Sequence, residues 1–288
     1  MMIGGGPPSS ALEALTRIGA QDNDATDPID LSDAALWLAK WAQPDLKLDA
    51  YRRHLDTLVQ AARDYVADDL NDDALVVEAA RQIIARRYGY AGATDPGEQD
   101  QAANLARTID HRRGGAAVLA ILYTHVLGAL GRSVEILDFA PRPLISLQTR
   151  TGRIILDPFS GGRLLNARDM RRLVKDHHGE RGEMTPDGLS AMDARAILLS
   201  LQHDIKVHHL RHGAPEAALH ILEGALLIAP KQASLWRELG LLHARQDHLL
   251  DAIEALERFL QLPGGGAHRY TASQMVQQLR HRLDQDKP

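Results

Sequence analysis

The sequence predicts an α+β protein that is mainly helical: an N-terminal helical bundle, a core of one helix with a small antiparallel sheet, and then helical hairpins. Three observations predict this class. Long stretches toward both ends place apolar residues three and four apart, the period of a helix with one buried face. Three short runs in the middle, rich in Val, Ile and Leu, are set off by Pro or Gly, as strands are. Near the C-terminus one pattern returns after 34 residues.

A chain of 288 residues suggests two domains. Residues 1–28 are rich in Gly, Pro, Ser, Asp and Asn and read as a flexible tail, with room for one short helix near Ala11–Ile18. Residues 29–186 then form the first domain, and 187–288 the repeat helices with a capping helix. "LSDAALWLAKWAQPDL" opens the first domain as a helix N-capped by Ser32 and stopped by Pro44. In "LDAYRRHLDTLVQAARDYV", Leu48, Tyr51, Leu55, Leu58, Val59 and Ala62 make one apolar face, and "DDALVVEAARQIIARRYGY" repeats the form, with Gly89 as its C-cap. A buried helix, Gly115 to Leu130, runs into three strands, "SVEILDFA", "PLISLQT" and "GRIILDPF".

Composition excludes several functions. Lys and Arg total 33 against 38 Asp and Glu, a net charge of -5, which offers no excess of positive charge for a phosphate backbone, so nucleic acid is not the expected partner. The absence of cysteine removes disulfides, thiolate metal sites and thiol nucleophiles together. No secretory signal or membrane-length apolar run is present, so a cytoplasmic protein is expected. Neither nucleotide-binding glycine motif occurs, and no cofactor is expected.

In the repeat region, "EAALHILEGALLIA" aligns with "LDAIEALERFLQLP" so that Ala218 meets Ala252, Leu222 meets Leu256, Glu223 meets Glu257 and Leu226 meets Leu260. Between them, Trp236, Leu239 and Gly240 fit a W-x-x-L-G signature. Ala233 to Leu262 therefore resembles one full tetratricopeptide repeat, preceded by a weaker one from about Ala196. Two repeats are too few to stand alone, so the array docks on the preceding domain or is capped by the final helix, Thr271 to Leu283.

"RRYGYAG" (Arg86–Gly92), "IDHRRG" (Ile109–Gly114) and "IILDPFSGGRLL" (Ile154–Leu165), in this order of elements, resemble the bacterial transglutaminase-like family related to the Sir-B invasion-regulator locus product. The resemblance covers roughly Leu31 to Leu283 and implies a degenerate papain/transglutaminase-like core. Such enzymes use a Cys at the start of the core helix, a His on the next strand and an Asp on the strand after it; the thiolate attacks, His moves the proton, and Asp orients the ring. The resemblance puts Ala116 at the Cys position, Arg142 at the His position and Asp157 at the Asp position. A pseudoenzyme is implied, with no catalytic residue and three vestigial positions.

Four residues remain candidates for binding a ligand. Arg142 and Asp157 fall on neighbouring strands, where they either pair or hold an anion. Arg112 and Arg113 precede a helix N-terminus and either bind an anion there or pair with Asp110 or another carboxylate. His208 and His212 lie four apart on a helix, but a metal site needs more ligands, so none is assigned. A protein or peptide partner is expected through the tetratricopeptide surface, on His209, Arg237, His243 and Arg245, taken as outward polar positions on helices packed by Trp236, Leu239 and Leu242. The function expected is a protein-interaction or scaffold module. The alternatives are an amidase, peptidase or acyltransferase with an unconventional site, or an anion-binding sensor.

Overall fold

The computed structural model describes residues 10–21, 28–67, 69–99, 102–150, 152–179 and 189–285. The chain runs through α1 (Ala11–Ala20), α2 (Leu31–Ala42), α3 (Leu48–Val66), α4 (Asp73–Arg81) and a π-helical turn (Gln82–Arg87). It continues through β1 (Ala91–Gly92), α5 (Pro96–Gln99), α6 (Leu105–His111), β2 (Arg113–Gly114), α7 (Ala116–Ala129), β3 (Val134–Leu137), β4 (Leu144–Thr149) and β5 (Gly152–Asp157). A 3-10 turn (Pro158–Ser160), β6 (Arg163–Leu165) and α8 (Ala167–His178) follow. The last elements are α9 (Ala194–Arg211), α10 (Pro215–Ile228), α11 (Ala233–Arg245), α12 (Leu249–Gln261) and α13 (His268–Gln285). Two compact units result: one is 28–201, and the other joins α1 to the residues from 202 onward. The division falls within α9 rather than at 186/187, because α9 continues unbroken through it.

In the first unit the hydrophobic content of α7 places it. It is apolar on every side, with Val118 through Tyr123, Val126 and Leu127 buried, the mark of a helix surrounded by protein. It packs against α2, α3 and α4 and against β3 and β4. The sheet is antiparallel in the order β3-β4-β5-β6, with Ile145 opposite both Ile136 and Leu156. Leu137, Leu144 and Ile155 on its other face join Phe139 and the helix residues Met170 and Val174 in one cluster. β4 is thus buried on both faces along most of its length. The β3 edge is covered by 190–192, through Asp138 N–H to Ser190 O (2.9 Å) and Met192 N–H to Ile136 O (2.8 Å).

Asp30, not Ser32, caps α2: its carboxylate accepts from the N–H groups of Ser32 (2.9 Å) and Asp33 (3.1 Å). The start was misplaced because both residues are good caps and only Asp30 stands outside the helix. The helix expected up to Gly89 instead passes into the π-helical turn, with Gly89 beyond it at φ 72°. β6 was not expected; "DPFSGG" reads as a turn, which it is, and the three residues after it pair back onto β5.

In the second unit the repeated positions are the packed ones. Ala218 and Ala252 are wholly buried, and Leu222 and Leu256 nearly so. Leu219, Leu222, Leu226, Leu239 and Leu242 form a cluster between α10 and α11, while Leu249, Leu256 and Phe259 of α12 pack on Ala272, Val276 and Leu279 of α13. Helix α13 is therefore the cap. Gly240 is the small residue of the W-x-x-L-G signature for a steric reason: a Cβ there would stand 2.6 Å from Leu256 Cγ. Within the expected tail, Ala11–Ala20 is an ordered helix capped by Ser10, with Leu15 fully buried and the helix lying on α10. The expectation of a flexible tail is corrected for these residues, because their apolar face finds a partner some two hundred residues away. The remainder of 1–28 lies mostly outside the described residues.

Candidate functional site

The three motifs meet in the first unit. β1 and β2 pair in parallel, with Ala91 beside Arg113 and Gly92 beside Gly114, which joins "RRYGYAG" to "IDHRRG". The third motif arrives through Phe159. A Cβ on Gly92 would lie 2.6 Å from three atoms of that ring, so only glycine allows the approach. Arg112, in the left-handed region at φ 60°, places its guanidinium 4.7 Å from the centre of the Tyr90 ring and donates to the Tyr90 hydroxyl (2.6 Å). His54 Nε2 meets the same hydroxyl at 2.8 Å. Burial, and then the charge of Arg112, hold the His54 pKa below the ordinary value.

Asp157 ends β5 and caps the 3-10 turn. Its carboxylate accepts from the N–H groups of Phe159 (3.1 Å) and Ser160 (3.3 Å) and from the Ser160 hydroxyl (2.7 Å). Arg142 completes the set in a two-pronged pair, Nε to Oδ1 at 3.3 Å and Nη2 to Oδ2 at 2.7 Å. The Asp157 side chain is 2% exposed and that of Arg142 24%. The guanidinium also lies 5.0 Å from the centre of the Phe159 ring. Of the two outcomes open for these residues in the sequence, pairing is present.

Ala116 is the first residue of α7 and follows the N-cap Gly115, which has no side chain to cap with. Its methyl group offers neither a nucleophile nor a proton. Arg113 pairs with Glu98 at 3.6 Å and donates to the carbonyl of Gly89. With Arg107, His111, Gly97 and Glu98 it lines a cavity of about 280 Å³. Asp110 instead accepts from the Tyr51 hydroxyl at 3.0 Å.

A family model described as the transglutaminase-like superfamily matches residues 49–203, which is more than half of the chain. The chain belongs to the transglutaminase-like superfamily. A tetratricopeptide repeat model matches 205–280, beyond the transglutaminase-like region. Among relatives, the UPF0162 proteins of two Xylella fastidiosa strains, Temecula1 and 9a5c, are each 27% identical over 248 residues, 83% of this chain and 85% of theirs. The UPF0162 protein of Pseudomonas aeruginosa is 27% identical over 224 residues, 75% of this chain and 80% of its own. The crystal structure of menin that reveals its binding site for the Mixed Lineage Leukemia protein aligns at a TM-score of 0.38 and 10% identity. That alignment covers 86% of this chain and 69% of the menin chain.

Outside the transglutaminase-like unit, the tetratricopeptide candidates divide. Arg245 is exposed, and Arg237 and His209 are half-buried. His243, expected to face outward, is only 9% exposed. It sits in the last turn of α11, where the reversal into α12 brings the His248 ring over it, a contact that helical periodicity alone does not contain. The His209 pKa is lowered by burial and by His208 and His212. The His208 and His212 rings lie with centroids 4.2 Å apart, tilted by 41°, but His212 Nδ1 is taken up at 2.9 Å by the His208 carbonyl. The sequence reading missed an apolar cleft of about 510 Å³, lined by Gly19, Leu226, Leu227, Pro230, Trp236 and Leu239 and edged by Glu223 and Lys231. Trp236 was its one visible sign, read there as repeat packing.

One serine–histidine contact also occurs in the transglutaminase-like unit. Ser32 Oγ lies 2.9 Å from His125 Nδ1, yet the hydroxyl donates to Asp30 at 2.6 Å. The serine proton is thus committed to a carboxylate and not to the imidazole, the reverse of what a serine nucleophile requires.

Proposed function

We propose that this protein is a non-catalytic transglutaminase-like module joined to tetratricopeptide helices, working as a protein-interaction or scaffold module in a bacterial cytoplasm. The observation that carries this reading is the Arg142–Asp157 pair. In the mechanism implied by the superfamily, the residue on the neighbouring strand accepts a proton from the nucleophile and returns it. A guanidinium remains protonated at any physiological pH and has no lone pair to offer. Here it also occupies the carboxylate that would orient a histidine. Ala116 at the head of α7 and a chain without cysteine agree with the same reading. The motif resemblance to the family of the Sir-B invasion-regulator locus product, and relatives from bacteria, support the bacterial setting.

The interaction side of the proposal rests on the tetratricopeptide helices, a construction that takes peptides on exposed helix faces and in apolar clefts. Arg237 and Arg245 of α11 and the cleft beside Trp236 are the proposed contact residues. An anion-sensing role has less support, since the guanidinium of Arg142 already has a carboxylate across both prongs. The test is turnover of fluorogenic amide and thioester substrates and of amine incorporation into a glutamine peptide. The wild-type chain is expected to show none above buffer. Turnover that disappears in Arg142→Ala or Asp157→Ala overturns the non-catalytic reading.

A further inference from the structure

The turn between α11 and α12 gathers two imidazoles and a carboxylate. His243 lies in the last turn of α11, Asp247 reverses the chain at φ 64°, His248 is the N-cap of α12, and Asp251 stands in its first turn. One ligand atom from each of His243, His248 and Asp251 lies within 4.8 Å of the others. We propose that these three side chains form a binding site for one divalent transition-metal ion, of which Zn²⁺ fits the donor set best.

Four features of the geometry favour an ion over an ordinary turn. The two Nδ1 atoms are 3.3 Å apart, within reach of an N–H···N hydrogen bond when the turn is empty and also at the spacing of two ligands on one ion. Two imidazole nitrogens on one tetrahedral zinc, each at about 2.0–2.1 Å from it, are themselves about 3.3 Å apart. His248 makes no capping bond with its side chain although it holds the N-cap position, so helix capping does not account for its orientation. The other nitrogen of its ring, Nε2, faces Glu216 Oε1 at 4.0 Å, longer than a hydrogen bond but on the side where an orienting carboxylate of a zinc ligand stands. Finally, His243 is buried while Asp251 is exposed, so one ligand is fixed by packing and the ion reaches the site from solvent. Two nitrogens and one carboxylate oxygen leave a fourth tetrahedral position for water or for a donor on a partner. The histidine pair visible along one helix in the sequence is His208 and His212. The ligands here come from two helices and the turn between them.

The test is isothermal titration of the full-length chain without a histidine tag, using Zn²⁺, repeated in competition with a chromophoric chelator. The expected result is one ion per chain and a melting temperature that rises with Zn²⁺. His248→Gln and Asp251→Asn should each weaken binding by at least about tenfold. His208→Gln/His212→Gln should leave it unchanged. His243 is left intact because it is buried, and circular dichroism checks that each variant is folded. No stoichiometric binding by the wild type overturns the proposal, as does binding that survives in both folded His248→Gln and Asp251→Asn. Loss of binding in the His208→Gln/His212→Gln variant alone overturns it too.

Discussion

Arg142 and Asp157 can be weighed by what each leaves behind. Removing Arg142 leaves a buried carboxylate that keeps three donors from Phe159 and Ser160, so Arg142→Ala should cost about 1–3 kcal/mol. Asp157→Ala removes the cap of the 3-10 turn and the acceptor of the Phe159, Ser160 and Arg142 hydrogen bonds together, and should cost more, about 3–5 kcal/mol. Urea unfolding of the two variants checks the order, which reverses if the carboxylate is merely tolerated. The histidines set a pH dependence. Burial lowers the pKa values of His54 and His125, so the folded chain takes up these protons at lower pH than the unfolded chain, which protonates them near pH 6.5. Their contribution is complete above about pH 6.5 and is lost as the pH falls through their folded values. Urea midpoints should drop between about pH 7 and 5, and His54→Gln with His125→Gln should flatten that drop. At this scale the proximity of Arg142 and Asp157 was legible from the order of short runs and turns, although Arg142 lies in the bend before β4 and not on a strand, and the choice between pairing and anion binding was not. His243 was not, since its burial depends on a ring five residues later across a chain reversal.

Helices and strands follow their local patterns closely where those patterns are self-sufficient. The 34-residue spacing gave α10 and α12 the same packed positions, and Gly240 stands where α11 presses on Leu256 and Ala252 of α12. Gly240→Ala forces a Cβ to within 2.6 Å of Leu256 Cγ and 3.1 Å of the Ala252 carbonyl. It should destabilise the tetratricopeptide unit by about 1–3 kcal/mol, despite the better helix propensity of alanine. Thermal unfolding checks this; a neutral or stabilising result would mean that the two helices separate without cost. Two elements were hidden for different reasons. β6 is three residues long and acquires its strand form only by pairing with β5. Helix α1 was legible only as room for a short helix within an expected flexible tail, since its burial against α10 is a long-range contact that no local period encodes.

For the whole molecule, the order of domains was legible from composition and motif: a transglutaminase-like region at 49–203, then tetratricopeptide helices at 205–280. The join was less so, because α9 runs through it without the Gly or Pro that would mark a boundary. Among the described residues no helix is long and apolar enough to cross a membrane. In the proposed function the chain holds a partner through its tetratricopeptide surface, and Ala116, Arg142 and Asp157 serve only the fold. Quantitative crosslinked co-purification from source cells tests it most directly, comparing wild type with Arg237→Glu/Arg245→Glu and with Arg142→Ala/Asp157→Ala, each shown to be folded. The account predicts a specific partner that is lost in the first variant and kept in the second. A partner kept in the first and lost in the second would contradict it and move the function to the Arg142–Asp157 pair.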